Sequence, residues 1–297
     1  MITSRARYSH INFADKLNLS ARPINLAPKM VIEPVDADGS LQGEDREFLD
    51  WLLDRAGVSV SNYRPESLAR RLPSCLRVLR ANSPAHGRAI LERNWSLAGT
   101  AISTVLIGVT NFFRDARVFE DLDQQVLSKI ADRACARIWS VGCSDGMELY
   151  SVAMQLAERR VLHRCQLLGT DCRLPATRMA AAGIYPEQAV REVPDDLRGR
   201  YFVEADANTY SIHPILRAQL QWRTADVMRT PEPGPWDLIL CRNMAMYMRG
   251  DTVARLWDIL QNALRPGGHL VLGKAERPSG SGSRMSAIAP CIYVRDR

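Results

Sequence analysis

The sequence predicts an α/β protein in which a parallel, doubly wound sheet follows a small helical domain. From Ala134 onward, short apolar runs alternate with amphipathic runs, which is typical of consecutive βαβ units. The first apolar run, RIWSV at 137–141, ends in the turn GCSDG and leads directly into a helical pattern. A strand followed by a glycine turn and a helix start is a common ligand-binding unit of such sheets. Before Ala134, apolar residues recur at helical spacing from about Glu44 to Asp115.

The elements of the sheet domain follow from this alternation. Strands are expected at 137–141, 166–170, 219–223, 236–240 and 268–272, and helices at 147–160, 174–182 and 251–264. The segment 184–216 breaks the rhythm because it is rich in charges and short apolar pieces. We therefore expect an inserted subdomain or a small β-hairpin unit there.

The region before the sheet is expected to contain three to five short helices. Its first helix carries four apolar residues on one face and ends at Gly57, as at a C-cap. The second, RPESLARRLPSCLRVLRA, is basic and can kink or break at Pro73. These patterns predict a loosely ordered tail at 1–42, a helical domain at 43–115 and a sheet domain at 116–297.

Composition and charge narrow the function classes. The 297 residues are 46% apolar and 24% charged, which is ordinary for a globular protein, and no run reaches the roughly 20 apolar residues that span a bilayer. The seven cysteines lack a C-x-x-C pair, which argues against a metal site and suits a cytoplasmic protein. The net charge is +6, but the sequence contains no nucleic-acid-binding motif. We therefore expect an acidic protein partner, and we expect neither nucleic-acid binding nor insertion into a membrane.

The glycine turn from Gly142 to Gly146 is not a phosphate loop. It lacks the spacing G-x-G-x-x-G, and it has no lysine of the kind that a P-loop uses. Its small residues still allow close backbone approach. The turn therefore suits a nucleoside ligand without a pyrophosphate, such as S-adenosylmethionine; the alternative is an ordinary tight turn between strand and helix.

Polar residues follow each of the next predicted strands. Asp171 can accept hydrogen bonds from both ribose hydroxyls, or it can merely cap the next helix. Asp226 follows the third strand and can accept from an adenine amino group. Arg242-Asn243 follow the fourth strand. Because the carboxyl ends of parallel strands meet at one edge, we expect these side chains to gather around one ligand.

Several segments, taken in order, resemble the CheR family of chemotaxis receptor methyltransferases. VTNFFRD at 109–115 resembles the T-x-F-F-R-[DE] segment that joins the family's helical and catalytic domains. The others are similar to its first glycine loop, its inserted β subdomain, its fourth-strand signature and the turn that follows. They are WSVGCS at 139–144 with Tyr150-Ser151, IYP at 184–186 with RYF at 200–202, WDLILCRN at 236–243 with Tyr247, and LRPGG at 264–268. The ordered set covers roughly residues 44–297.

This resemblance implies a class I S-adenosylmethionine-dependent methyltransferase with a Rossmann-like sheet, a small N-terminal helical domain and an inserted β subdomain. Such an enzyme moves a methyl group to a glutamate carboxylate on a receptor and leaves S-adenosylhomocysteine. The implied partner is an acidic protein such as the cytoplasmic domain of a chemoreceptor.

The resemblance also implies cofactor contacts. Thr110 and Arg114 would contact the methionine end of the cofactor, and Glu148 would hold its amino group. Asp171 would bind the ribose and Asp226-Val227 the adenine. The glycine turn would approach the cofactor through its backbone.

Arg242-Asn243 would line the pocket near the methionine moiety of the cofactor, and Tyr247 would lie near the transferred methyl. A carboxylate is already ionised at neutral pH, so Arg114 and Tyr247 are expected to orient groups and not to carry protons. The alternatives are a surface salt bridge for Arg114 and core packing for Tyr247.

The basic helix of the helical domain would dock on the acidic receptor. Its candidates are Arg70, Arg71, Arg77 and Arg80. Three of them, at spacings of seven and three, fall near one face if Pro73 does not break the helix. The alternative is a solvated basic face.

The chain departs from the family pattern at five places. Met147 and Leu149 replace an acid and a proline of the first loop, and Cys172-Arg173 stands where a second acid is frequent. Gly108 replaces a common asparagine, and Lys274-Ala275 replaces His-Ser. We infer that cofactor binding is retained and that the departures bear partly on the acceptor, with Met147 indicating a changed pocket. Two other hypotheses remain: a methyltransferase for another carboxylate, on a small molecule or a different protein, and a non-catalytic sensor or docking module.

Overall fold

The computed structural model describes residues 41–106, 108, 110–278 and 284–296. The predicted tail at 1–42 lies almost wholly outside the described residues. Within the described ranges, no helix is long and apolar enough to cross a membrane.

Five α-helices form the N-terminal helical region. They are α1 Gly43–Arg55, α2 Pro65–Ala69, α3 Leu72–Leu79, α4 Pro84–Arg93 and α5 Ala98–Val105. Helix α1 buries Phe48, Leu49, Leu52 and Leu53 on one face, and Gly57 follows with φ of +80°, which confirms the predicted stop. The helices pack around their own apolar core.

The second predicted helix is divided in two, so the condition for one continuous basic face is not met. The break falls at Arg70 and Arg71, between α2 and α3. Pro73 lies in the first turn of α3, where a missing backbone N–H costs nothing. Arg77 lies in the last turn of α3 and Arg80 caps it in a left-handed conformation. The four arginines therefore do not share one helix.

The rest of the chain alternates strands and helices. In order they are α6 Ala116–Leu122, α7 Ser128–Ala131, β1 Ala136–Val141, α8 Met147–Glu158, β2 Cys165–Asp171, α9 Leu174–Ala182, β3 Ile184–Pro186, α10 Glu187–Val190, α11 Asp195–Tyr201, β4 Phe202–Asp206, β5 Thr209–Ile212, α12 Pro214–Arg217, β6 Leu220–Thr224, β7 Trp236–Cys241, α13 Gly250–Ala263, β8 Leu264–Leu272, β9 Met285–Ala289 and β10 Ile292–Arg295. A π-helical turn at Asp123–Leu127 joins α6 to α7.

The main sheet has seven strands in the order β6-β2-β1-β7-β8-β10-β9. Strands β6, β2, β1, β7 and β8 are parallel, whereas β10 is antiparallel to both β8 and β9. The strand order reverses between β1 and β7, so the crevice for a ligand lies at the carboxyl ends of these two strands. The predicted doubly wound α/β class is confirmed.

The predicted strands and helices are found within a few residues of their expected positions, with two differences. The segment 264–268, expected to be a turn before the last central strand, belongs to β8, which pairs with β7 from Leu264 onward. The antiparallel strands β9 and β10 were not predicted. Strand β9 has five residues and β10 has four, so each is too short for its periodicity to give a clear signal.

The interrupting segment forms a second, antiparallel sheet in the order β3-β5-β4. Phe112 connects it to the segment that follows the helical region: its ring lies 5.0 Å from that of Tyr185 and 5.2 Å from that of Phe202, both edge to face. Phe112 is 1% exposed. The division of the chain at residues 115 and 116 stays a prediction.

The backbone of the first turn gives a test of the fold. Gly146 precedes α8 with φ of +89°, and a Cβ there would lie 2.7 Å from the ring of Trp222 and 2.8 Å from Ala180. We expect Gly146→Ala to lower the free energy of unfolding by about 2–4 kcal/mol, from left-handed strain and overpacking. Denaturant titration measures this.

Gly199→Ala is the matched control. Gly199 lies within α11, and among the described residues no atom lies within 4 Å of the point that a Cβ would occupy. Alanine there should be neutral or should stabilise by up to about 1 kcal/mol. Equal effects of the two substitutions would contradict the described conformation of the turn.

Candidate active site

One cleft at the carboxyl ends of the parallel strands collects most of the predicted site residues. The cleft has a volume of about 1280 Å³, which includes space that is open to solvent. The predicted residues that line it are Arg70, Arg71, Thr110, Arg114, Gly142, Glu148, Asp171, Asp226, Val227, Arg242, Asn243 and Tyr247. Arg77 and Arg80 are exposed elsewhere and do not line it.

The glycine turn is fixed by its backbone. Gly142 and Ser144 both have positive φ, and the Cys143 N–H donates to the Thr170 carbonyl at 2.9 Å, which ties the turn to β2. A Cβ on Gly142 would lie 2.8 Å from the Met244 sulfur. Glycine is thus required here because the loop after β7 crosses directly over the turn.

Asp171, at the end of β2, is buried and fully hydrogen-bonded. Its Oδ2 accepts from the Ser144 N–H at 2.9 Å and from Nη2 of Arg173 at 3.1 Å. Its Oδ1 accepts from the Arg173 backbone N–H at 2.9 Å and from Nε of Arg173 at 3.0 Å. The carboxylate therefore faces the cleft with an arginine already on it.

Asp226, after β6, offers a different arrangement. Its Oδ1 accepts from the Met228 N–H at 2.9 Å, but its buried Oδ2 has no hydrogen-bond partner among the described residues. Burial raises the pKa of the Asp226 carboxyl. A buried acceptor without a partner at the wall of a cleft fits a ligand that brings a donor, such as an adenine amino group.

Glu148 and Arg242 form an ionic network under the cleft. Oε2 of Glu148 accepts from Nη1 of Arg242 at 3.2 Å, and Oε1 accepts from the Ser140 hydroxyl at 3.0 Å. Nη2 of Arg242 donates to Asp115 at 2.9 Å, and Lys274 binds the other oxygen of Asp115 at 2.7 Å. Burial raises the pKa of Asp115, but these cations outweigh it and hold the pKa below its usual value.

The network explains one departure from the family pattern, and packing explains two others. Lys274 does not line the cleft and instead neutralises Asp115 from a largely exposed position. Met147 and Leu149 are buried in the apolar core at 6% and 0% exposure, and neither lines the cleft. An apolar residue at these positions therefore changes the core and not the wall of the cleft.

The loop after β7 is held by Glu276, which the sequence did not single out. Its carboxylate is 4% exposed and accepts four backbone N–H groups. These belong to Gly273 at 2.8 Å, Asn243 at 2.9 Å, Ala245 at 2.8 Å and Met246 at 3.4 Å. Glu276 thus fixes the start of the loop that carries Asn243 and Tyr247.

The helical region holds the other end of the same loop. The Arg64 N–H donates to the Tyr247 carbonyl at 3.0 Å, and the Arg249 N–H donates to the Asn62 carbonyl at 3.1 Å. Nε of Arg64 donates to the Met248 carbonyl at 2.9 Å. Tyr247 therefore sits at a junction between the helical region and the sheet.

Tyr63 lies beside this junction and also lines the cleft, although the sequence analysis did not predict it as a site residue. Burial, together with the nearby Cys172, Asp226 and Asp171, raises the pKa of its hydroxyl well above the usual value. No local motif marks Tyr63. Its position depends on the antiparallel bridge to Met248, far along the chain.

Comparison with known proteins gives the family. Residues 108–290 match the model of the CheR methyltransferase, SAM binding domain. The chain belongs to the CheR methyltransferase family. The predicted cofactor class and the predicted resemblance are thereby confirmed: the protein is an S-adenosylmethionine-dependent methyltransferase.

Curated relatives agree over most of the chain. A probable chemotaxis protein methyltransferase of Rhizobium etli is 30% identical over 76% of this chain and 89% of its own length. Chemotaxis protein methyltransferases of Borreliella burgdorferi and Listeria monocytogenes are 26% and 28% identical, over 81% and 74% of this chain and 89% and 85% of their own lengths.

Removing the Glu276 carboxylate should release the loop. In Glu276→Gln an amide NH2 group, which cannot accept a hydrogen bond, replaces one carboxylate oxygen beside the backbone N–H groups. We therefore expect hydrogen exchange at residues 243–246 to accelerate at least tenfold and the free energy of unfolding to fall by about 1–3 kcal/mol. Exchange mass spectrometry measures the first effect. Glu187→Gln, in the first turn of α10, is the control. Protection of residues 243–246 in Glu276→Gln equal to that in wild type would contradict the role of Glu276.

Asp145, within the glycine turn, is expected to make the stability of the protein depend on pH. Burial raises the pKa of its carboxyl to about 6, so the folded protein holds this proton more tightly than the unfolded chain does. Its contribution to stability is therefore favourable below about pH 4 and is lost as pH rises through 6. Asp145→Asn should stabilise the protein by about 1–3 kcal/mol at pH 8 and by little near pH 4. Denaturation at both pH values tests this; a pH-independent difference would contradict it.

Proposed function

We propose that this methyltransferase transfers the methyl group to a glutamate carboxylate on an acidic protein, the cytoplasmic domain of a chemoreceptor. The observation that carries the proposal is the position of Arg70 and Arg71. They come from the break between α2 and α3 and line the same cleft as Tyr247 and the cofactor candidates. The relatives are chemotaxis protein methyltransferases, which supports a receptor as acceptor.

The charge of the cleft supports a carboxylate acceptor. Five arginines line it: Arg70, Arg71, Arg114, Arg173 and Arg242. Three carboxylates line it, and two of these already pair with arginine, Glu148 with Arg242 and Asp171 with Arg173. The positive surplus lies on the side of the helical region, where an acidic protein can reach it.

The proposed cofactor contacts follow the geometry of the cleft. Asp226 has an oxygen without a partner among the described residues for the adenine amino group, and Val227 is buried beside it. Asp171 ends the neighbouring strand at the ribose position, and the Gly142 backbone passes between them and β7. Glu148 is assigned to the cofactor amino group.

At the methionine end, Thr110 and Arg114 approach from the segment after the helical region. Arg242-Asn243 approach from the end of β7. All four line the same cleft as Tyr247. We therefore assign them to the methionine moiety, and Tyr247 to the region of the transferred methyl.

The chemistry needs positioning more than proton transfer. S-adenosylmethionine supplies a methyl group on a positively charged sulfur. A glutamate carboxylate is ionised at neutral pH and needs no general base. Arg71, Arg114 and Tyr247 would align the carboxylate with the methyl–sulfur axis, and the helical region would exclude water. None of these three residues gains or loses a proton in this scheme.

Arg71→Ala should separate acceptor binding from cofactor binding. We expect kcat/KM for methylation of a receptor cytoplasmic fragment to fall about 10- to 100-fold, because a charged hydrogen bond to the acceptor is lost. The affinity for S-adenosylhomocysteine, measured by calorimetry, should stay within about threefold. Labelled methyl released by mild base reports the ester.

Arg93→Ala is the matched control, since Arg93 is exposed in the last turn of α4, away from the cleft. Absence of a base-labile ester on every receptor of the host would overturn the acceptor assignment. Transfer to a small carboxylic acid in place of receptors would favour the second hypothesis. Equal transfer by wild type and Arg71→Ala would remove Arg71 from the acceptor site.

A further inference from the structure

The carboxylate of Asp171 has no lone pair left for a ligand. It accepts four hydrogen bonds, from Ser144 N–H and from the backbone N–H, Nε and Nη2 of Arg173, all between 2.9 and 3.1 Å. A carboxylate has about four acceptor positions. Two of them are held by the Arg173 guanidinium, which forms a bidentate pair of the strong, charge-assisted type.

Arg173 is itself enclosed at this position. It is 8% exposed and stands immediately before α9, facing back across the end of β2. A Cβ at position 108 would overlap Nη2 of Arg173, so glycine at 108 leaves room for the guanidinium in its present position. Gly108, Asp171 and Arg173 all line the cleft. The arginine therefore fills the space directly in front of the Asp171 side chain.

A ribose diol and this guanidinium need the same two positions. We infer that Arg173 is an internal competitor for the cofactor: its guanidinium occupies the ribose position on Asp171 and leaves it when the cofactor binds. The inference rests on the proposed ribose contact of Asp171. Binding of the cofactor ribose to Asp171 then requires breaking the ion pair between Asp171 and Arg173, which lowers the affinity for the cofactor.

The competing role differs measurably from a positioning role. If Arg173 only held Asp171 in place for the ribose, removing it would weaken cofactor binding. If Arg173 competes, removing it leaves Asp171 with its two backbone N–H donors, those of Ser144 and of residue 173, and with two positions open to the ribose. The free protein then carries a buried carboxylate without its cation, which destabilises it until the ligand arrives.

Calorimetry with S-adenosylhomocysteine on the full chain tests the inference. We expect Arg173→Ala to bind at least about tenfold more tightly than wild type. Arg173→Lys, which keeps the charge but not the bidentate contact, should lie between them. Arg178→Ala removes an exposed arginine from α9 and should bind like wild type.

Thermal unfolding provides a second measurement. Without ligand, Arg173→Ala should melt below wild type, and saturating S-adenosylhomocysteine should raise its Tm by more than it raises that of wild type. Affinity equal to or weaker than that of wild type in the folded variant would overturn the competition.

The double variant Asp171→Ala/Arg173→Ala separates failure of this inference from failure of the ribose assignment, because no ion pair opposes the ribose once Arg173 is removed. If the double variant binds S-adenosylhomocysteine as tightly as Arg173→Ala does, the ribose contact is absent and the competition falls with it. If the double variant binds more weakly than Arg173→Ala while Arg173→Ala gains nothing over wild type, the ribose contact stands and the competition alone is refuted.

Discussion

The carboxylate of Glu276 joins the carboxyl ends of β7 and β8, and the side of the cleft that carries Tyr247 depends on it. Four backbone N–H groups converge on this one buried side chain. Irregular backbone in a buried position needs such partners, because an unpaired N–H costs more than an average hydrogen bond contributes. The loop can therefore leave the strand at Arg242 in an unusual conformation, with Asn243 at φ of +59°, and still present a fixed surface. Its far end is fixed by the helical region.

This arrangement makes the helical region part of the cleft. The same segment that hydrogen-bonds to Tyr247 and Met248 leads into α2, and α2 ends at the two arginines that line the cleft. The proposed acceptor contacts and the placement of Tyr247 thus depend on one short stretch of backbone. The ionic pairs beneath it, from Glu148 through Arg242 to Asp115 and Lys274, balance the buried charges. A lysine at position 274 serves that balance without entering the cleft.

Much of the site is predictable because it depends on strand ends. Parallel strands place their carboxyl ends along one edge, so Asp171, Asp226 and Arg242 are expected together and are found together. Arg77 and Arg80 do not join Arg70 as expected, since the break at Arg70 and Arg71 cannot be read from helical periodicity. The sequence does not predict the roles of Tyr63 and Glu276 for a similar reason. Tyr63 pairs with Met248, and Glu276 accepts hydrogen bonds from the loop that starts at Asn243, and these partners lie far away in sequence. Met147 suggests a changed pocket by its sequence position alone, whereas its side chain is buried in the core.

The sequence by itself determined the α/β class, the order of the strands along the chain, the glycine turn and the family, because these depend on local periodicity, residue type and spacing. Only the tertiary structure decided that two arginines of the helical region reach the cofactor cleft while two others do not. It also decided that Asp171 is already paired with Arg173 and that Glu276 closes the loop after β7. Each of these depends on contacts that a side chain makes with backbone groups or with another charged side chain in the folded protein. Local sequence patterns do not reveal which residues make such contacts.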